Sequence, residues 1–207
     1  MGKKILVIIL VLTASFTILF ISILRSASVK YTFTGPKPVR QSIDRSPEEI
    51  DYPLAYPGAI LPDSIFWPIK MMRDRFWLIV TTDPLKKAEL KLLFGDKRIG
   101  AAKLLFEREE YELGLTTLAK SISYLKSASD DEDKIREKGI DTTELTVTLV
   151  KASLKYREII EGMLLIVPED EGPRISELIK FTRDVYDSKS SVLRSKGIPA
   201  DENPFGL

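Results

Sequence analysis

Twenty consecutive residues from Ile5 to Leu24 carry no charge, and this run restricts the chain more than any other feature. At a rise of about 1.5 Å per residue, a helix of that length matches a hydrocarbon core of roughly 30 Å. Thr13, Ser15, Thr17 and Ser22 are compatible with a span, because hydroxyls in a membrane helix bond back to carbonyls of the preceding turn. A cleaved leader has an apolar region of only about 7 to 15 residues. The length therefore favours a retained anchor over cleavage at Ser26-Ala27-Ser28. Lys3 and Lys4 precede the run as in an export leader and predict a cytoplasmic N-terminus. Arg25, Lys30, Lys37, Arg40 and Arg45 on the other flank give the opposite raw count, but long domains translocate largely regardless of charge. The expectation is a single-pass signal anchor at residues 1–25 with the rest of the chain extracytoplasmic, or a secreted protein if the segment is cleaved.

Composition narrows the chemistry. The 207 residues include no cysteine and no histidine. Disulfides, a lipoprotein anchor, thiolate catalysis and cysteine zinc sites are excluded, as are the usual neutral-pH proton shuttle and the commonest transition-metal ligand. Lysine and arginine number 31 against 30 acids; setting aside Lys3, Lys4 and Arg25 leaves 28 bases, a balance of −2. That balance lacks the concentrated basic face that nucleic-acid binding needs. No cofactor is expected.

From residue 26 to residue 58 the chain holds Pro36, Pro38, Pro47, Pro53 and Pro57 with no sustained apolar period, and reads as an extended linker. Tyr52-Pro53-Leu54-Ala55-Tyr56-Pro57 within it is the alternative of a docking peptide. Beyond it the period becomes helical, predicting an all-α antiparallel bundle of five long amphipathic helices over residues 59–197 and a flexible tail over 198–207.

In the first helix Ile65, Ile69, Met72, Phe76 and Ile79 recur as a core-facing stripe, with Ser64 or Asp63 as cap and Pro68 in the first turn. Asp83 caps the second helix and Pro84 opens it; its stripe is Leu85, Ala88, Leu92, Gly95, Ile99, Ala102 and Phe106, with Gly95 or Gly100 as a point of close approach. After a break at Arg108–Glu110, the third stripe is Tyr111, Leu115, Leu118, Ile122 and Leu125. The acidic stretch Ser129–Asp133 and Gly139 then read as a solvated connection. Asp141-Thr142-Thr143-Glu144 opens the fourth helix like a capping box, with Asp141 as cap. Leu145, Leu149, Ala152, Tyr156, Ile159, Met163 and Ile166 form its stripe, ahead of Pro168. The fifth helix starts near Pro173, buries Ile175, Leu178, Thr182, Val185 and Val192, and ends at Gly197, which suits a left-handed cap.

With Leu61-Pro62-Asp63-Ser64, Thr82-Asp83-Pro84, Lys87-Ala88-Glu89-Leu90, Asp96-Lys97-Arg98-Ile99, Leu154-Lys155-Tyr156 and Val167-Pro168-Glu169, the chain resembles a bacterial family described as a domain of unknown function, number 5667, from about Tyr56 to Asp187. The resemblance implies a membrane-anchored or secreted helical protein and brings no activity or site residue with it. Ile65 stands where that pattern has proline, with Pro68 displaced, and Tyr156 stands where it has histidine.

Candidate chemistry is sparse. Ser129–Asp133 lacks the ordered ligand spacing and the glycine of a calcium loop. Glu169-Asp170-Glu171-Gly172 suits the start of a helix, where negative charge complements the dipole. Glu107, Glu109 and Glu110 have no sugar-binding aromatic platform beside them. No catalytic or metal residue is assigned, and the chain is not expected to be an enzyme. Phe66, Trp67, Met71, Phe76 and Trp77 put more large apolar groups on one helix than a single stripe can hide, and form the candidate interaction face. The expected role is a non-catalytic, membrane-anchored binding or scaffolding module with a protein partner and no nucleic acid. A ligand or stress sensor, or a chaperone of periplasmic type, is the alternative.

Overall fold

A computed structural model describes residues 50–168 and 171–206. The apolar segment 5–24 and the linker up to residue 49 lie outside the described residues. Within the described residues there are five helices and no strand: α1 (Trp67–Val80), α2 (Pro84–Glu107), α3 (Tyr111–Glu137), α4 (Thr143–Leu164) and α5 (Gly172–Ser195).

Two hairpins, α2–α3 and α4–α5, pack together as a four-helix core, while α1 approaches only α2 among the helices. The α2–α3 pairing is antiparallel, since partners descend along one helix as they ascend the other. Phe106 packs where a side chain on Gly114 would stand, the Gly95 carbonyl accepts from Ser121 at 2.9 Å, and Phe94 meets Tyr124 edge-on at 6.0 Å. A Cβ on Gly95 would lie 2.6 Å from the Tyr156 hydroxyl, so this glycine is the expected point of close approach, between α2 and α4. The second, third and fourth stripes form one buried cluster with Ile175 and Val185 of α5. Ile166 is an exception, because α4 ends at Leu164 and leaves it exposed. Val192 is half-buried, and Lys189 and Leu193 take the buried positions on that turn of α5.

Local chemistry sets the helix ends. Asp83 accepts the Leu85 amide at 2.9 Å and precedes Pro84 at the start of α2. Asp141 binds the Thr143 amide at 3.0 Å from one position further out than expected, since Thr142 occupies the capping backbone position of α4. At the end of α5 the Gly197 amide donates to Arg194 and the Ile198 amide to Leu193, each at 3.0 Å, with Gly197 at φ +72°. This is a Schellman closure, and Ile198 packs back onto the core as that motif favours. The same bonding ends α2, but there the left-handed position, φ 64°, is held by Glu109.

Three expectations about the segments between and beyond the helices are overturned. Ser129–Asp133 is not a loop: α3 continues through it to Glu137, because Glu132 occupies the next inward position after Leu125 and Ala128 and meets Lys189 of α5 at 2.7 Å. The tail is not loose where it is described. Ile198, Ala200 and Phe205 pack on Val150, Leu154, Tyr186 and Leu193, and the Tyr186 hydroxyl donates to the Asp201 carbonyl at 2.8 Å. Nor is the end of the linker free of the domain. Tyr52 and Leu54 pack on the main core, Pro57 is buried, and the Ile50 amide donates to Glu158 at 3.1 Å.

Candidate functional site

The first helix is turned over relative to its sequence stripe. Its one buried residue is an acid, Asp74, at 2% exposure, while Ile65, Ile69, Met72 and Ile79 are 85%, 65%, 72% and 76% exposed. The reason lies in the bed that α2 offers. Arg98 of α2 is buried, and a buried guanidinium without a counter-charge is costly. Asp74 supplies that charge at 3.6 Å and also pairs with Arg73 at 2.8 Å. Arg98 further donates to the Phe94 carbonyl at 3.2 Å and to the Met71 sulfur at 2.9 Å, and stacks on Tyr124 with 4.5 Å to the ring centroid. The sequence period correctly gives an amphipathic helix; the buried guanidinium decides which side faces in.

The five residues of the expected interaction face are consequently divided. Trp67 and Met71 turn toward Arg98, with Lys70 4.9 Å from the Trp67 ring centre. Phe66 and Phe76 are exposed, and Trp77 is half-buried with its ring edge-on to Phe76 at 6.5 Å. Ser64 does not cap α1. The capping position is Phe66, which makes no side-chain cap bond, and the Ser64 hydroxyl accepts the Phe66 amide at 3.2 Å in a local turn.

Beside the exposed stripe lies a groove of about 470 Å³, lined by Tyr56 to Ile60, Phe66, Ile69, Lys70, Arg73 and Lys97. Its charge is basic. Lys70 donates to the Pro57 and Ile60 carbonyls at 2.6 and 2.7 Å, which ties the chain before α1 to the helix. Burial lowers the Lys70 ammonium to about 8; Asp74 opposes the shift, and Arg73, Lys97 and Arg98 reinforce it. Lys97 is likewise lowered, by burial first and by Arg73 next.

Two polar clusters lie inside the bundle. Asp96 of α2 accepts the hydroxyls of Tyr52 and Tyr156, each at 2.9 Å, so this carboxylate joins the chain before α1 to α2 and α4. Burial pushes Asp96 up to about 6 against the opposing hydrogen bonds of both tyrosines, and pushes both phenols above their ordinary range. The second cluster is Glu132, which accepts from Lys189, Thr142 and Thr146 and pairs with Arg136 at 3.2 Å. Burial would raise this carboxyl, but the Lys189 and Thr142 hydrogen bonds, the Lys189 charge and Thr146 outweigh it and hold it below its ordinary value. Lys189 also donates to the Ser129 carbonyl at 2.9 Å and pairs with Asp133 at 2.7 Å. Both clusters fasten helices to one another.

No group of acidic side chains that could hold a metal ion occurs among the described residues. Glu107, Glu109 and Glu110 gather at the α2–α3 turn, where Glu107 and Glu109 are exposed. Glu132 had a signal in the sequence, since it continues the third stripe from Leu125 through Ala128 to Ile135 at helical spacing. Asp74, Asp96 and Arg98 carried none, because a charge on an amphipathic helix ordinarily marks its solvent side.

No curated protein and no solved structure matches the chain. The sequence profile of the family described as a Domain of unknown function (DUF5667) matches residues 59–164, just over half of the chain. The match takes in Asp74, Asp96, Arg98, Glu132 and Tyr156, and it stops where α4 stops, so Lys189 of α5 lies beyond it. With its first four helices inside that match, the chain belongs to the DUF5667 family.

Proposed function

We propose that this chain is a non-catalytic binding module, held at the membrane by residues 5–24 with its helical bundle outside the cytoplasm, and that it makes its contact through the outward side of α1. One observation carries the reading: α1 turns Asp74 inward and leaves Ile69, Met72 and Ile79 in solvent. A contiguous apolar patch exposed on a folded domain marks a protein or membrane interaction site, whereas single exposed apolar residues do not. The buried charges of the bundle support the same reading, because Asp74, Asp96, Arg98, Glu132 and Lys189 are engaged with one another or with tyrosines and threonines across helix contacts. The apolar run 5–24 and its two preceding lysines support the location.

Replacing Ile69, Met72 and Ile79 together by serine tests the contact surface. A contact surface predicts unchanged helicity and cooperative melting with loss of crosslinks from α1 in native membranes. Loss of cooperative melting would make the stripe part of the core and refute the reading. The location has its own test, made simple by the absence of cysteine. Ser191→Cys, at an exposed position of α5, should react with a membrane-impermeant maleimide in intact cells. Labelling only after lysis would overturn the extracytoplasmic assignment.

A further inference from the structure

We propose that the outward side of α1 is an interfacial membrane helix that lies on an anionic phospholipid surface, with the neighbouring basic groove taking the lipid phosphates. The inference rests on the reading of that side as a contact surface and names what covers it. At about 100° per residue, Ile69, Met72, Phe76, Ile79 and Val80 fall within one arc of the helix, and all of them are exposed. Arg75 borders that arc on one side and Arg73 on the other, both exposed. The sole acid of α1 is Asp74, which is buried and paired, so the charge that α1 shows to its surroundings is entirely positive.

An apolar arc with cations on both borders is the arrangement of helices that lie in a bilayer interface, with side chains in the acyl boundary and cations among the headgroups. The groove extends the basic border, because Lys70 and Lys97 line it together with Arg73 beside Phe66 and Ile69. Mutual repulsion among these cations helps to lower the Lys70 ammonium, and an anion in the groove would relieve it. A second copy of the chain fits less well. Two such faces packed about a twofold axis would set the arginine borders of one against those of the other. An anionic surface complements them instead. The apolar run 5–24 and α1 also belong to one chain, with 42 residues between Leu24 and Trp67, so a bilayer holding that run meets α1 at a raised local concentration.

The protein carries its own reporters. Its two tryptophans, Trp67 and Trp77, are both on α1. The full chain is reconstituted into vesicles with brominated acyl chains, either pure phosphatidylcholine or a mixture containing phosphatidylglycerol, and tryptophan emission is recorded. Each basic side chain near an anionic surface contributes about fivefold in partitioning. The expected result is strong quenching and a blue shift in the anionic vesicles, several-fold weaker quenching in pure phosphatidylcholine, and loss of the difference in high salt. R75E, at the exposed border position away from Asp74, should weaken the lipid dependence several-fold while circular dichroism and melting stay as in the parent. Equal quenching in both vesicles, or none in either, overturns the proposal. Photocrosslinking from position 72 in native membranes then separates its failure from that of the broader reading. Crosslinks to another protein or to a second copy overturn the lipid assignment and keep the contact surface, whereas crosslinks to neither lipid nor protein overturn both.

Discussion

Asp96→Asn is the sharpest probe of the bundle interior, because it changes charge with almost no change in shape. Asp96 is buried between the Tyr52 and Tyr156 hydroxyls and its carboxyl titrates at about 6 instead of 3.8. The folded state therefore holds the proton more tightly than the unfolded chain does. Below pH 3.8 both states are protonated and the site costs nothing. Between 3.8 and about 6 the unfolded chain releases its proton first, so stability falls as pH rises, and above about 6 the loss levels off. At about 1.4 kcal/mol per pH unit, the deficit at neutral pH is about 3 kcal/mol. Asparagine accepts from one tyrosine with its oxygen and donates to the other from its nitrogen, so neither partner is stranded. The melting temperature of D96N minus that of the parent should thus be flat near pH 3.5, climb between pH 4 and 6, and reach roughly 6 to 12 °C at pH 7, at about 2 to 4 °C per kcal/mol. Circular dichroism of the full chain in micelles from pH 3.5 to 8 measures it, and other titrating groups cancel in the difference. A difference that does not change with pH would refute the account of Asp96 as a carboxyl disfavoured by burial.

Two further substitutions test the helix contacts. Lys189→Met leaves the Glu132 carboxylate buried without its main counter-charge and should cost about 3 to 5 kcal/mol; adding Glu132→Gln should recover most of that, and a single-mutant loss under 1 kcal/mol in thermal denaturation would show that Thr142, Thr146 and Arg136 suffice. Glu109→Gly relieves a left-handed residue at the end of α2 and should stabilise by about 0.5 to 1 kcal/mol net of the greater freedom of glycine in the unfolded chain. A lower melting temperature for Glu109→Gly would mean that the glutamate side chain makes a stabilising contact there.

The sequence is most legible where one side of a helix is apolar and the other charged. The stripe from Ala88 to Phe106 is buried as its spacing predicts, and Gly95 sits under Tyr156 at the contact between α2 and α4. Glycine also marks the closures at Gly139 and Gly197, whereas the α2–α3 turn was visible only as a break, since Glu109 does glycine's work there. What escaped is chemistry that needs two distant partners. Glu132 stands at stripe spacing, yet the acidic run around it reads as a solvated connection until Lys189 meets it from 57 positions away. Tyr52 reads as part of a proline-containing linker until Asp96 accepts its hydroxyl across 44 positions. At Glu132 the acidic run suggested a solvated connection where the helix in fact continues, and at Tyr52 the extended chain was silent about burial, because in both cases burial was decided by the other partner.

The same reasoning explains why α1 can keep an apolar side in solvent. Burying a side chain such as isoleucine or methionine gains about 1.5 to 3 kcal/mol relative to exposure, which would favour rolling α1 over. Rolling it would withdraw Asp74 from Arg98 and remove Trp67 and Met71 from their places against the guanidinium. It would also lay Ile69, Met72 and Ile79 onto a bed that includes Lys97 and Arg98, where apolar atoms cannot satisfy buried donors. The guanidinium of Arg98 thus acts as a register pin: it fixes the rotation of α1 and, by doing so, holds the apolar arc outward between Arg73 and Arg75. Exposure of that arc follows from a specific buried pair in the bundle, and a surface fixed in this way is available for contact without any rearrangement of the helices beneath it.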